Sequence, residues 1–411
     1  MIQFTCSYEE NWYTRMNGGL QMNTIDPHDR AVCMSEGDDM IAFHGAVAPP
    51  LFQNSLFSFP TIQALHSALD DEKNNIIYTR GNNPTTMLAE KKLAALERAE
   101  SSKVFASGMA AISSVLFTLC NSGSHVLCLN SIYGPTVKYL TYLKKFGIEF
   151  SMITDVNYES IISSIRPNTS VIYCESPGTM TFRVLDLEMI SSIARQRGIL
   201  TVIDNTWATP LFQKPLLHGF DIVVHSCTKY IGGHSDIVAG VVAGKKQIIE
   251  RVFDDAFMQH GAVLGPFESL LLLRGLRSLP ERMLRHQFNA LAIVEYLHSH
   301  PKVNRVFYPG SLDDPDHRIS KKYLTGYSGL LSFDIITKSY EVLAAAVNSC
   351  RHFKIGVSWG GYESLIFLPY NDRNGDQLRA KGIPYGLVRI SIGLEDSAVL
   401  IDDLERMLSL I

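Results

Sequence analysis

A lysine in the segment Ser226-Cys227-Thr228-Lys229-Tyr230 directly follows the apolar run Asp221–His225, and Gly232-Gly233 comes soon after. A second apolar run, Ile199–Asp204, ends in an aspartate and continues as Asn205-Thr206-Trp207. An amine placed where its charge is costly can lose its proton and form a Schiff base with a carbonyl. A carboxylate on the same rim can hold a pyridine nitrogen protonated. Those are the two electronic requirements of pyridoxal phosphate chemistry. The phosphate of such a group needs donors. Ser107-Gly108-Met109-Ala110-Ala111 lies between a strand ending at Ala106 and a helix starting near Met109. Backbone N–H groups at that helix start, with its dipole, form an anion site. Ser226 and Thr228 add hydroxyls from the opposite side. Each feature alone has a plainer reading: Lys229 as a solvated strand end, Asp204 as a turn or cap residue, Gly108 as a turn former.

These side chains are placed by elements legible in the apolar spacing. Short β-prone runs alternate with helical stretches: Lys103–Ala106 then Met109–Cys120, His125–Asn130 then Pro135–Phe146, Ser170–Glu175 then Leu185–Arg197. Ile199–Asp204 and Asp221–His225 follow. Near-continuous hydrophobic strands between helices predict an α/β fold whose mostly parallel sheet is covered on both faces. Chemistry then gathers beyond the carboxyl ends of its strands. Residues 1–62, with prolines at 49, 50 and 60, read as an irregular N-terminal arm; 63–262 read as the large cofactor-binding domain. Residues 263–411 read as a smaller α+β C-terminal domain. It has a long helix to about His300, kinked or broken at Pro280. Its strands are expected at Val303–Tyr308, Gly329–Ile336 and Gly386–Ile392, with helices at Ser339–Cys350 and Ser397–Leu410.

A chain of 411 residues is long enough for two folding units, and 46% hydrophobic residues supply a large core. The formal net charge is −4 and no block of like charge occurs, which disfavours nucleic-acid and membrane-surface binding. No apolar run approaches the ~18 residues that span a bilayer. Met1–Met16 has neither a basic start nor an apolar stretch, so no secretory signal is expected. The seven cysteines are widely spaced without C-x-x-C, which points to free thiols in a reducing cytoplasm. Gly356-Val357-Ser358-Trp359-Gly360 matches a hydrolase nucleophile elbow, but no histidine follows Ser358, as that order of residues requires. Gly240–Lys245 has one residue too few for a nucleotide phosphate loop. The histidines do not cluster at metal-ligand spacing, so no metal is expected.

From about His44 to the C-terminus the chain resembles the Cys/Met-metabolism family of pyridoxal-phosphate enzymes, the cystathionine lyases and synthases and methionine γ-lyase. The matching segments are Pro49–Gln53, Tyr78-Thr79-Arg80-Gly81-Asn82-Asn83-Pro84-Thr85, Ser107-Gly108-Met109 and Asp204–Ala208. Ser226–Tyr230, Gly232–Asp236 and Arg389–Gly393 complete the set, in the family's order. The resemblance implies a fold-type I architecture with a seven-stranded sheet. It implies that Lys229 carries the internal aldimine and shuttles protons, that Asp204 pairs with the pyridinium, and that Tyr133 stacks on the ring and assists transaldimination. Gly108, Met109, Ser226 and Thr228 would hold the phosphate. Tyr78 and Arg80 would reach the phosphate of a neighbouring subunit's cofactor, in a homotetramer built from dimers with shared sites. Ser358 and Arg389 would hold the substrate α-carboxylate, where a bidentate guanidinium fits. Thr179 would stand beside that carboxylate, where γ-type relatives carry Asn.

The signature for the reaction is mixed. Ser358–Leu365, Asp204–Ala208 and Glu175–Met180 look like bacterial cystathionine β-lyase, whereas Gly81–Thr85 and Gly232-Gly233 look like γ-lyases and γ-synthases. Pro135 stands where methionine γ-lyases tend to have cysteine. The expectation is a carbon–sulfur lyase that β-eliminates cystathionine to homocysteine, pyruvate and ammonia. A γ-lyase or γ-replacement enzyme acting on a homoserine-derived amino acid is the alternative, and a catalytically silent scaffold is the reading from another class.

Overall fold

Apolar segments buried on both faces build a central seven-stranded sheet in this computed structural model, which describes residues 25–39, 41–337, 339–371, 374–380 and 382–411. Its strands are β1 (Ser101–Phe105), β2 (His125–Leu129), β3 (Glu149–Ile153), β4 (Thr169–Glu175), β5 (Leu200–Asp204), β6 (Ile222–His225) and β7 (Gly240–Gly244). They lie in the order β1-β7-β6-β5-β4-β2-β3. Alternation splits each strand between two cores. Val126, Cys128, Val202 and Val224 face one side with the helix Gly108–Leu119; Leu127, Leu129, Ile203 and Val223 face the other with the helix Leu187–Arg197. β2 to β6 pair in parallel, and β7 alone runs antiparallel, between β1 and β6.

Two strands of this sheet escape the sequence reading, as do the short Lys354–Ile355 and Leu365–Phe367 of the second sheet. β3 is a half-buried edge strand whose Glu149 and Ser151 interrupt the apolar run. β7 is the Gly240–Gly244 segment that resembled a phosphate loop.

A second sheet comprises β8 (Val303–Phe307), β9 (Leu330–Ile335), β10 (Lys354–Ile355), β11 (Leu365–Phe367) and β12 (Leu387–Ser391), in the order β10-β11-β12-β9-β8. Helices Tyr340–Asn348 and Ser397–Ser409 pack on it through Leu343, Val347, Leu400 and Leu404. This small sheet-and-helix domain is reached through the helix Pro266–Ser299, which continues unbroken past Pro280. The proline forgoes one helical hydrogen bond, a cost of ~3 kcal/mol. Burial of Leu272, Leu276, Leu279, Met283, Ile293 and Leu297 at ~1.5–3 kcal/mol each outweighs it. Among the described residues no helix is long and apolar enough to cross a membrane.

The arm is more ordered than its composition suggests, although residues 1–24 lie outside the described residues. Pro27–Met34 is a helix, started by Asp26 and by proline at its first turn. Its Asp29 is fully buried between Arg98 (2.7 Å) and Lys214 (2.6 Å). Eight residues with three consecutive polar side chains give too little periodicity to read as a helix; the buried ion pairs supply what the pattern lacks.

Lys103 on β1 is equally buried, with its amine on Glu90 at 3.0 Å and on Asn82 Oδ1 at 3.0 Å, and it lies over the rings of Phe253 and Phe257. It thereby ties the Tyr78–Asn83 loop to the sheet. Lys103→Met strands the Glu90 carboxylate and should cost ~3–5 kcal/mol of stability. Chemical denaturation against the unsubstituted chain measures this, and a loss below about 1 kcal/mol would show that the pair contributes little net.

Candidate active site

Strands β4, β5 and β6 end on one rim, and their register sets Glu175 beside Asp204 and Asp204 beside Val224. Asp204 is buried, and burial pushes its carboxyl above the ordinary range. Opposing that, Thr206 donates to Oδ1 through both its hydroxyl and its N–H, the latter at 3.0 Å, while His225 and Lys229 add favourable charge. Thr206 Oγ1 in turn accepts the N–H of Ser226 at 2.9 Å. One threonine thus couples the aspartate to the turn that carries the lysine.

On that turn, Lys229 Nζ donates to Ser358 Oγ at 2.7 Å and lies 5.3 Å from the ring centroid of Trp359. Burial pulls the amine down from 10.5 to about 8, helped by the Arg389 charge and resisted by Asp204. The turn is held from both sides. Buried Arg282 donates to Tyr230 O at 2.7 Å and to Gly275 O at 2.8 Å. Opposite, Gly360 adopts a φ of +84°, and a Cβ there would stand 2.7 Å from Tyr230 N and 3.1 Å from Lys229 Cα. Only glycine combines that conformation with that approach.

The helix Gly108–Leu119 begins against the same turn, with Ser107 as its cap, its hydroxyl accepting from Ala110 N at 3.0 Å. A Cβ on Gly108 would lie 2.7 Å from Ser226 Cβ, so the helix start and Ser226 close on each other as expected of a phosphate cradle. Met109 is half-buried beside them against the core. Thr228 is placed there too, but its hydroxyl is engaged with Ala239, accepting from N at 3.0 Å and donating to O at 3.2 Å.

From the C-terminal domain, Arg389 on β12 reaches in, buried, with Nη2 on Val357 O at 2.7 Å and its guanidinium 5.0 Å from the Phe367 centroid. Burial lowers it from 12.5 to about 10, with Tyr133 and Glu175 acting the other way. Tyr133 caps the helix Gly134–Leu143 and is 46% exposed, so its ring is half open to the site. Burial and the nearby Asp204 and Glu175 raise its phenol above the ordinary value. Thr179 sits in the loop after β4, its N–H donating to Ser131 O at 2.9 Å.

Lys229, Asp204, Ser226, Gly108, Ser358, Arg389 and Tyr133 are thus linked by contacts or mutual charge effects. Tyr78 and Arg80 are not: both are exposed on the loop tethered by Lys103, where Tyr78 bridges to Leu56 and its carbonyl accepts from Gly81 N at 2.9 Å and Asn82 N at 3.2 Å. Three residues near the lysine went unassigned in the sequence. Glu175 accepts the Tyr133 N–H at 2.7 Å, Thr206 supports Asp204, and Trp359 flanks the amine. Each sits inside a quoted segment, but its task depends on cross-strand register or on a loop 130 positions away in sequence.

A part-buried lysine whose proton is loosened, near a buried aspartate and beside a cradle at a helix start, is the donor set that pyridoxal phosphate needs, and these residues fit it. Fold and site define a pyridoxal-phosphate-dependent enzyme. Residues 31–409 match the model described as "Cys/Met metabolism PLP-dependent enzyme", and the chain belongs to that family. It is 38% identical over 370 residues to an L-methionine γ-lyase of Fusobacterium nucleatum subsp. polymorphum, covering 88% of this chain and 93% of that one. Its identity to a cystathionine γ-lyase of Bacillus subtilis is 39% over 372 residues (89% and 94% covered). To a cystathionine β-lyase of Lactococcus lactis subsp. cremoris it is 37% over 371 residues (89% and 94%). Among solved structures, a cystathionine γ-synthase of Xanthomonas oryzae pv. oryzae superposes with a TM-score of 0.86 at 33% identity, covering 93% of this chain and 98% of that one.

The depressed amine makes a direct prediction. Reductive alkylation of Lys229 in cofactor-free protein, followed by peptide mass spectrometry, should rise through a midpoint near pH 8; a midpoint near 10.5 would show that burial does not act on this group. The same shift fixes a sign for stability. A folded pKa of about 8 against an ordinary 10.5 makes the buried charge destabilising in full below pH 8, and this cost fades as pH rises to 10.5.

Proposed function

We propose that this family member is a carbon–sulfur β-lyase that converts cystathionine and water to homocysteine, pyruvate and ammonia. The observation that carries the reading is the contact of Lys229 with the Ser358-Trp359 segment, the stretch that looks like bacterial cystathionine β-lyase. Bound pyridoxal phosphate supplies an electron sink that acidifies the substrate Cα–H and allows the Cβ–S bond to break.

The chain's own residues do the rest. Lys229, poised by burial and by the Ser358 hydroxyl, takes the Cα proton. Asp204, whose charge the Thr206 hydrogen bonds favour, would pair with the ring nitrogen. Gly108 and Met109 N–H groups with the Ser226 and Thr228 hydroxyls hold the phosphate; Thr228 must give up its bond to Ala239 O to donate. Tyr133 lies on the ring, an interaction of ~0.5–1.5 kcal/mol that orients more than it anchors. The α-carboxylate is taken by Arg389, whose guanidinium bonds only a backbone carbonyl among the described residues, with Ser358 and Thr179 beside it. Exposed Tyr78 and Arg80 complete the site of a neighbouring subunit in a dimer-based tetramer.

A γ-lyase or γ-replacement activity is the second reading. It is favoured by the 38% and 39% identity to proteins named as γ-lyases and by the Gly81–Thr85 segment. Such a reaction needs a further proton removal at Cβ. The keto acid formed from cystathionine separates the two: pyruvate supports β-elimination, and 2-oxobutyrate would overturn it. Lys229→Ala should fold, shown by an unchanged circular dichroism spectrum, yet lose at least about 1,000-fold in kcat through loss of both covalent and proton-transfer roles. Substantial residual turnover in this variant would remove the lysine from its assigned task.

A further inference from the structure

The helix Gly134–Leu143 starts without help from its own cap: the Tyr133 side chain makes no capping hydrogen bond, and Pro135 has no N–H to satisfy. The unpaired N–H groups at a helix start need acceptors. Here the acceptor for Tyr133 N–H is foreign to the helix. It is Oε2 of Glu175, at 2.7 Å, from the end of β4. With the backbone fixed in this way, the Tyr133 ring has no capping duty and stands half open to the site.

We propose that Glu175 is the positioning residue for Tyr133, its carboxyl fixing the backbone from which the tyrosine ring projects over the floor marked by Asp204. The proposal rests on the reading that Tyr133 stacks on pyridoxal phosphate. The form of the carboxyl follows from its surroundings. Glu175 lies directly across from Asp204 on a neighbouring strand, at the ~5 Å spacing of a sheet. Two carboxylates so close do not both ionise readily, and burial adds to the effect. Burial and Asp204 drive Glu175 well above the carboxylate range; Tyr133 N–H and Arg389 oppose this in part. The surroundings of Glu175 thus favour its protonated form. A neutral acid accepts an N–H through its carbonyl oxygen, so the tether needs an acceptor and not a charge.

Glutamine reproduces that acceptor, while alanine and methionine remove it. Hydrogen–deuterium exchange of the Tyr133 amide in cofactor-free protein reads the tether directly. Glu175→Ala and the nearly isosteric Glu175→Met should exchange roughly five- to tenfold faster, the loss of about one hydrogen bond, and Glu175→Gln should match the unsubstituted chain. Absorbance titration with pyridoxal phosphate should show the same order, with Gln within about threefold and Ala and Met about tenfold weaker, and kcat/KM should follow. Unchanged exchange in both Ala and Met would overturn the proposal. So would a Gln variant as defective as Met, since charge would then be what matters. An unsubstituted chain that takes up no cofactor would end the reading of the site, while the exchange experiment still decides the tether.

Discussion

A lysine amine whose proton is loosened by burial, close to a carboxylate that burial pushes the other way, is the constraint around which this molecule is arranged. Both groups are buried, and burial works against the ionised form of each. For the lysine that is useful, because a free amine is the nucleophile and base. For the aspartate it is a cost that the Thr206 hydroxyl and N–H offset. A parallel sheet makes this opposition possible, since it brings several strand ends to one rim while its body stays dry.

The supporting residues are shared between tasks. Thr206 holds Asp204 with one hand and the Ser226 backbone with the other, so floor and cradle move together. Ser358 and Arg389 come from the second domain; the Lys229–Ser358 hydrogen bond brings its small sheet to the rim of the large one, and Arg389 holds the neighbouring Val357 carbonyl within that domain. The helix Pro266–Ser299 joins the two bodies, and Arg282 on it grips the lysine turn.

What could be read from the chain follows physical lines. β2, β4, β5 and β6 were legible because strands buried on both faces are continuous apolar runs. β3, half-exposed at an edge, carries polar residues that break the run. β7 has glycines at both ends and depends on antiparallel partners far away in sequence. Lys229, Asp204, Gly108 and Ser226 were legible because strand ends and helix starts declare themselves locally. Glu175 and Thr206 were not, since the work of each is a hydrogen bond to a neighbouring element. The helix Pro27–Met34 was hidden for a related reason: its stability lies in Asp29 meeting two cations from other segments.

The clamp on the lysine turn, with Arg282 behind it and Gly360 pressed against it, leaves that stretch almost no room to vary. Trp359, which directly precedes Gly360, lies with its ring centroid 5.3 Å from the Lys229 amine without being part of that frame. In this molecule the backbone that is gripped and a side chain that is free of the grip are neighbours in sequence, Gly360 and Trp359.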